Sequence, residues 1–599
     1  VFVVACLFAT LGAAGAALAW RWAKIEEDAP ARLLAAATCA LALGAATARA
    51  LASVGLLKLP WLLAGFGAVA AGARFVGSRG GASRRAAGPR MDPRSLDAPT
   101  LLVLFAGVAA VGLAVAAARW LPIWAWDAAG YHLPFVNYVV QSGASRAVPD
   151  ALTYVSAYPH DAEYLFAILR LGLPDDTWLD AAQIPFALLG AIAVAATAVR
   201  WGAPRSSALA AGALWLASPA VFLQLPTGYV DVCVAAFFLL AAYWILAPPT
   251  PTTIVLAGAS LGLLLGSKPS APVPVAVLSA LLTARAIRAG RGRWLVPALA
   301  GVLVLGAPDY AANVRRFGNP IWPVAVDFGP IHWPGRARVA DLLAAGAAAP
   351  RLTGPLWWRV VRSWTALRAP AAFDMRFGGF GSAFVLAALP ALALAARTVP
   401  LSAWIVLLAS IAAPDPATAR FVLAFPAICL ALAARASSRL PARRMRVALV
   451  ASAALAALDL RYAVPALTGE GPGLAHLATL SDEDRLRAVG PDGPPAPWID
   501  LRRSLREGES IAFDHSFDLP YLLWRRDLSN RVVYLPESAP SEVEATLARE
   551  HVRFLIAGAA SAAESVATKR GARRLFSCRA EPCAVYDLDP VRSSAEAPP

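Results

Sequence analysis

Apolar residues come in runs of roughly fifteen to twenty along most of the chain, broken by short stretches rich in Arg or in Pro and Gly. Runs of that length read as membrane-spanning helices, because a hydrocarbon core of about 30 Å takes some twenty residues of helix. About fourteen segments fit, near 1–20, 32–50, 57–75, 99–118, 181–200, 207–223, 231–247, 254–266, 270–284, 294–310, 378–396, 401–413, 420–434 and 447–462. Several are short for a full crossing, so their ends are soft and some could be re-entrant. From about residue 500 the pattern changes. Short β-like runs (SIAFD, RVVYLP, VRFLIAG, CAVYDL) alternate with helical stretches (LPYLLW, SEVEATLAREH), which predicts a small α/β unit. The expected fold is mainly α, a polytopic helical membrane protein with a small C-terminal α/β domain. Its divisions are 1–98 (extra spans and a basic loop), 99–462 (membrane domain) and 463–599. No internal repeat is evident.

Composition agrees with this reading. The 599 residues are 58% hydrophobic and 16% charged, more apolar surface than a soluble chain of this size can hide. The first run, VFVVACLFATLGAAGAALAW, has no basic region before it and reads as a span, not as a cleaved leader. The net charge of +15 would suit nucleic acid if it formed a patch, but the arginines gather at the ends of apolar runs. The short segments 74–94, 285–293 and 435–446 are the most Arg-rich, and by the positive-inside rule they face the cytoplasm. Alternation then puts both termini, the segments 119–180 and 311–377, and the tail outside. The nine arginines of 311–377 strain this assignment, since the rule weakens only for loops beyond about 60 residues.

That sidedness collects the chemistry on one face. Asp127, in WAWDAAGYHLP, directly follows a span, with Tyr131 four residues on and therefore on the same helical face. Trp124 and Trp126 would anchor this turn at the lipid headgroups. The plain alternative is that Asp127 caps a helix. AYPHDAEYLFAIL places His160, Asp161 and Glu163 before a helical apolar pattern, and LPTGYVDVCVAAFF places Asp231 at the mouth of a span behind Gly228. LLLGSKPSAP sets Lys268 between two apolar runs, where a charge costs several kcal/mol unless paired or hydrated. DYAANVRRFGNPIWPV adds Arg315, Arg316 and Asn319 in a rigid turn. Acids, a lysine and arginines on one side of a bilayer suit an anionic lipid-linked substrate and a carboxylate base. His132, His160 and His332 read either as ordinary interfacial residues or as metal ligands. PLWWRVVRSWTAL puts Trp357, Val361 and Trp364 at helical spacing, as in an interfacial amphipathic helix framing a lipid. No Cys/His cluster, Walker loop or G-x-S-x-G element offers other chemistry. Cys578 and Cys583 are spaced for a disulfide outside the cell or stand as two free thiols.

Taken in order, these motifs resemble those of the type C (GT-C) membrane glycosyltransferases, in the branch of bacterial relatives of the protein O-mannosyltransferases and lipid A aminoarabinose transferases. W-D-x-x-x-Y-H-L-P (126–134) resembles the first outer-loop motif, YPHDAE the element before the next span, and Y-V-D (229–231) the second acidic motif. G-S-K-P (266–269) resembles a G-x-K-P element, G-N-P-I-W-P (318–323) a later outer turn, and A-R-F-V-L-A-F-P (419–426) an R-Y-x-x-x-x-x-P element. The resemblance covers roughly 99–435. His160 stands where Pro is common, and many relatives place the second acidic motif differently.

The resemblance implies transfer of a sugar, with inversion, from a polyprenyl-phosphate carrier to a lipid, glycan or protein acceptor outside a bacterial cytoplasmic membrane. It implies that Asp127 is the general base. Glu163 and Asp231 would be secondary acids that position substrate or, in some members, touch a divalent metal ion. Tyr131, His132, His160, Lys268, Arg315, Arg316 and Asn319 would bind substrate, the cations through the carrier phosphate. The rival class is a transporter or lipid-linked glycan flippase, which also uses intramembrane Lys and outer acids.

Overall fold

A computed structural model describes residues 2–22, 29–77, 96–123, 125–338, 354–367, 379–467, 473–488, 501–578 and 582–589. Trp124, most of the basic segment 74–94 and the parts 339–353 and 368–377 of the second outer segment lie outside the described residues.

Each apolar segment identified in the sequence is helical over most of its length. Among the described residues three helices are long and apolar enough to cross a membrane by themselves: Ala29–Ser53, Ala98–Trp120 and Leu179–Arg200. Gly292–Gly306 and Pro308–Phe317 form a pair bent by 57°, which could serve as a fourth. The bend falls at Pro308, which a helix accepts in its first turn but not in its interior. Other apolar helices, such as Asp231–Leu246 and Pro251–Leu265, are shorter, yet they are buried among their neighbours. Asp231–Leu246 is buried along almost its whole length, which explains why its sequence is apolar all round and not striped.

The segment 119–180 is a packed helical layer, not an open loop. Leu133–Ser142 and Asp161–Gly172 are largely buried, and the second packs on Ala29–Ser53. Asp161 and Glu163 occupy its first turn, where the helix dipole favours acids. Phe135 stacks flat on His160 at 3.8 Å and meets Tyr164 edge-on. In the second outer segment Val326–Phe328 (β1) and Ile331–Trp333 (β2) form a small antiparallel hairpin.

The C-terminal unit is a five-stranded sheet of Ser510–Phe513 (β3), Arg531–Tyr534 (β4), Val552–Gly558 (β5), Arg573–Ser577 (β6) and Cys583–Asp587 (β7). Its order is β4-β3-β5-β7-β6. β3 pairs in parallel with β4 and β5, while β7 runs antiparallel to both β5 and β6. Four of these strands are the β-like runs of the sequence. β6 and the helix Ala562–Lys569 escaped because RRLFS does not alternate and the helix is short and Ala-rich. LPYLLW is a tight 3₁₀ turn, Pro520–Leu523, not a longer helix. Cys578 and Cys583 are joined as a disulfide beside β7.

This unit docks on the segment 119–180. Asp176 receives Tyr521 Oη at 2.6 Å, Arg526 Nε at 2.7 Å and Arg502 Nη2 at 3.1 Å. Gln141 Nε2 donates to the carbonyls of Leu528 (2.8 Å) and Asn530 (2.5 Å), and Trp524 packs edge-on against Tyr138.

Candidate active site

The chain leaves the Ala98–Trp120 helix through an extended Leu121 and turns back into helix at Trp126. Ala128–His132 then forms a single π-helical turn. Such wide turns recur at functional sites because one extra residue re-aims a side chain. Asp127 makes no side-chain cap, which removes the plain structural alternative for it. Its carboxylate Oδ2 instead accepts from Arg420 Nη1 at 2.6 Å.

Arg420 sits in the 3₁₀ turn Ala419–Val422 that precedes the helix Ala424–Ala436. The same Nη1 lies 3.5 Å from Asp231 Oδ2, and Lys268 Nζ donates to Asp231 Oδ1. Two acids and two cations therefore alternate in one chain, Asp127–Arg420–Asp231–Lys268. Asp231 and Arg420 side chains are 2% and 8% exposed, Asp127 and Lys268 15% and 16%. The acid that retains access from outside is thus Asp127, not Asp231. The Arg420 guanidinium lies 4.9 Å from the Tyr229 ring centre and 5.1 Å from that of Phe421, and Lys268 lies 4.7 Å from Phe421. Tyr229 Oη also accepts the Asp127 backbone N–H at 3.3 Å. Gly228, at φ +64°, takes the left-handed turn that leads into Tyr229 and Asp231. Burial alone would raise the Asp127 carboxyl, but Arg420, with His132 and Lys268, holds it below the usual carboxylate value. A small cavity opens beside this chain, lined by Asp231, Lys268, Ser270, Ser410, Arg420 and Phe421 among others.

Two further buried groups stand behind it. His132 Nδ1 is 2.6 Å from Glu163 Oε1, and the other Glu163 oxygen is buried with no hydrogen-bond partner. Arg49, near the end of Ala29–Ser53, bridges Asp161 (2.8 Å) and Asp309 (2.8 Å). Burial lifts the Asp161 carboxyl to about 7, against the pull of Arg49. Asp161 N–H donates to the Gly266 carbonyl at 2.6 Å. A Cβ on Gly266 would fall 2.2 Å from Asp161 Oδ2, so the G-S-K-P turn needs glycine there to carry Lys268 past the acid.

Of the remaining sequence-predicted residues, Tyr131 stays within electrostatic reach of Asp127 and Arg420, and the others lie elsewhere. Tyr131 packs against the rings of His132 (4.2 Å) and Tyr158 (5.6 Å). His160 is buried, its Nε2 2.8 Å from the Val155 carbonyl. Asn319 is consumed by its own turn, donating to the Val324 and Pro334 carbonyls and accepting from Ile321 N–H. Arg315 and Arg316 are exposed at the end of Pro308–Phe317, and Arg316 pairs with Asp150 at 2.7 Å. Neither joins the Asp127 chain. His332 pairs with Asp327 on the exposed hairpin. Among the described residues no three His, Cys, Asp or Glu side chains come together as a metal site, so no step below is routed through a metal.

Sequence reasoning missed two residues. Arg420 was visible inside the A-R-F-V-L-A-F-P motif without a role. Arg49 carried the same signal as Lys268, a lone cation in an apolar run, which is costly unless paired.

No family model and no curated protein sequence matches the chain. Solved structures do. ArnT from Cupriavidus metallidurans in the apo state superposes with a TM-score of 0.51, covering 84% of this chain and 100% of that one at 13% identity. The chain shares the fold of this ArnT. The same ArnT bound to undecaprenyl phosphate gives a TM-score of 0.50 over 82% of this chain and 98% of that one at 16% identity. The apo oligosaccharyltransferase of Archaeoglobus fulgidus gives 0.40 over 78% and 70%, at 12% identity. At 84% of the chain, the likeness to ArnT reaches well beyond the stretch 99–435 that the motifs covered.

Proposed function

We propose that the protein transfers a sugar from a polyprenyl-phosphate carrier to an acceptor at the outer face of a bacterial cytoplasmic membrane, with Asp127 as general base. The observation that carries this reading is the Asp127–Arg420–Asp231–Lys268 chain, with an acid and two cations on a cavity and Asp127 the more exposed of its two carboxylates. The GT-C fold supports it, as does the carrier lipid bound in one of the ArnT structures.

The chemistry needs little more than these groups. The acceptor oxygen or nitrogen attacks the anomeric carbon while the carbon–oxygen bond to phosphate breaks. The electron pair of that bond leaves with the phosphate, and the acceptor proton passes to Asp127. A single displacement of this kind inverts the anomeric centre. Phosphate leaves without a general acid, so one base and cations that stabilise the departing charge suffice. Glycoside hydrolysis, by contrast, uses a carboxylate pair flanking the bond.

Self-pairing explains how the site stays neutral before the donor arrives. Arg420 holds Asp127 as a weak base. A phosphate drawn to Arg420 and Lys268 takes over those cations and returns basicity to Asp127. Fork-shaped guanidinium suits phosphate oxygens, and Lys supplies a point charge. Asp231 then keeps the two cations from repelling each other. Arg315 and Arg316 stand outside this phosphate site.

The test is incubation of the purified protein in liposomes with radiolabelled polyprenyl-phosphate sugars. Transfer, or slow hydrolysis without acceptor, is expected. Movement of the lipid across the bilayer without turnover would replace this reading with the flippase.

A further inference from the structure

Arg420 must be held still to serve two acids and a phosphate, and its own turn is short. The residues before it, Asp415 to Thr418, form a loop that the amphipathic helix Leu356–Trp364 grips from the side. Arg359 Nη1 lies 3.2 Å from both Asp415 oxygens. Ser363 Oγ donates to the Ala417 carbonyl at 2.6 Å, and Trp364 Nε1 to the Pro416 carbonyl at 2.9 Å. The Trp364 ring packs on Phe425 at 4.2 Å, in the helix that follows Arg420. Three side chains of one helix thus bind three consecutive residues, 415–417, and a ring beyond Arg420. Asp415 closes the loop from within, accepting Ala417 N–H and Thr418 Oγ1, each at 3.3 Å.

The outer side of the same helix is apolar apart from Arg362. Trp357 is 67% exposed, and Leu356, Trp358 and Val361 are exposed as well. In a polytopic membrane protein, an exposed Trp-rich helix face meets the interfacial layer of the bilayer. The helix therefore touches lipid on one side and the Arg420 loop on the other.

We infer that Arg359, Asp415 and Trp364 are positioning residues that lock Arg420 in place through a membrane-resting helix, so that the affinity for the carrier phosphate depends on a clamp that touches neither the phosphate nor Asp127. The inference rests on Arg420 binding that phosphate. Asp415→Asn keeps the acceptor for Ala417 N–H but removes the charge that Arg359 needs, and Trp364→Phe keeps the ring but removes its hydrogen bond.

The experiment pairs two readouts on the full chain in lipid nanodiscs: amide hydrogen exchange of residues 417–422, and affinity for undecaprenyl phosphate. For Asp415→Asn the expected result is faster exchange and an affinity weaker by roughly three- to fivefold, the range of a partly exposed pair. Arg359→Gln, which leaves the bonds of Asp415 to Ala417 and Thr418 intact, should act in the same direction, and Trp364→Phe should add to the loss. Unchanged exchange overturns the clamp. Faster exchange with unchanged affinity in a protein that binds the lipid overturns it too, reducing the contacts to local stability. Faster exchange in a protein whose wild type binds no undecaprenyl phosphate supports the clamp on Arg420 and sinks the donor reading instead.

Discussion

Replacing Arg420 with Gln tests the charge chain at its centre. The guanidinium is 8% exposed and serves Asp127 at 2.6 Å and Asp231 at 3.5 Å. Removing one partner of a buried ion pair leaves an uncompensated charge and costs about 3–5 kcal/mol. Part of that cost depends on pH, and its sign can be worked out. In the wild type the Asp127 carboxyl is held below its ordinary value of 3.8. A depressed acid stabilises the fold above its unfolded pKa, and that stability is lost as pH falls through the folded value. Without Arg420 the burial effect loses its main opponent, and the Asp127 carboxyl rises. The unfolded chain titrates alike in both proteins, so the wild type gains on the variant as pH rises from its own folded value to the variant's. The stability gap between wild type and Arg420→Gln should therefore be smallest at the acid end of the range and widen as pH rises. Buried Cys233 and Cys429 supply the probe, since a thiol-reactive dye reports their exposure during a thermal ramp in detergent. A gap that stays flat from the acid end upward, or is largest there, would refute the pairing of Arg420 with an ionised Asp127.

Lys268→Gln removes a charge-assisted contact worth roughly 1.5–3 kcal/mol, so the donor KM should rise about ten- to a hundredfold with a smaller change in kcat; an unchanged donor KM in a transfer assay would take Lys268 out of the phosphate site. Asp176→Asn weakens a junction of Tyr521, Arg526 and Arg502 by roughly 1.5–3 kcal/mol and should speed proteolytic release of the C-terminal unit, read on a gel against the wild type. Cysteines introduced at Ser145 and Ser541 should react with an impermeant reagent in intact cells; labelling only after permeabilisation would invert the topology and remove the site from the outer face.

Local information in the sequence went far for the elements and less far for the contacts. The apolar helices followed from run length alone, and four of the five C-terminal strands from alternation. Asp127, Asp231 and Lys268 stood out because each is a charge at the edge of or inside an apolar run, where pairing is required. The partner that links them lies 293 residues from Asp127, and no periodicity carries information over that distance. Arg49 with Asp309, 260 residues apart, is the same case. Arg315 and Arg316 show the opposite limit. Their composition suits phosphate, but the helix Pro308–Phe317 buries Asn313 and leaves both arginines exposed. The Asn319 amide satisfies the carbonyls of Val324 and Pro334, contacts that the sequence did not show.

The central claim is that Asp127 takes a proton. Asp127→Asn keeps size and polarity, lets Arg420 keep a hydrogen-bond acceptor, and removes basicity. The decisive measurement is the single-turnover rate of sugar transfer from a saturating polyprenyl-phosphate sugar by this variant, alongside its affinity for the donor. General-base catalysis is worth about 10²–10⁴-fold, or roughly 3–5 kcal/mol of barrier. The account predicts an inserted protein that still binds donor and transfers slower by that factor, whereas transfer at the wild-type rate would show that Asp127 serves only to pair with Arg420.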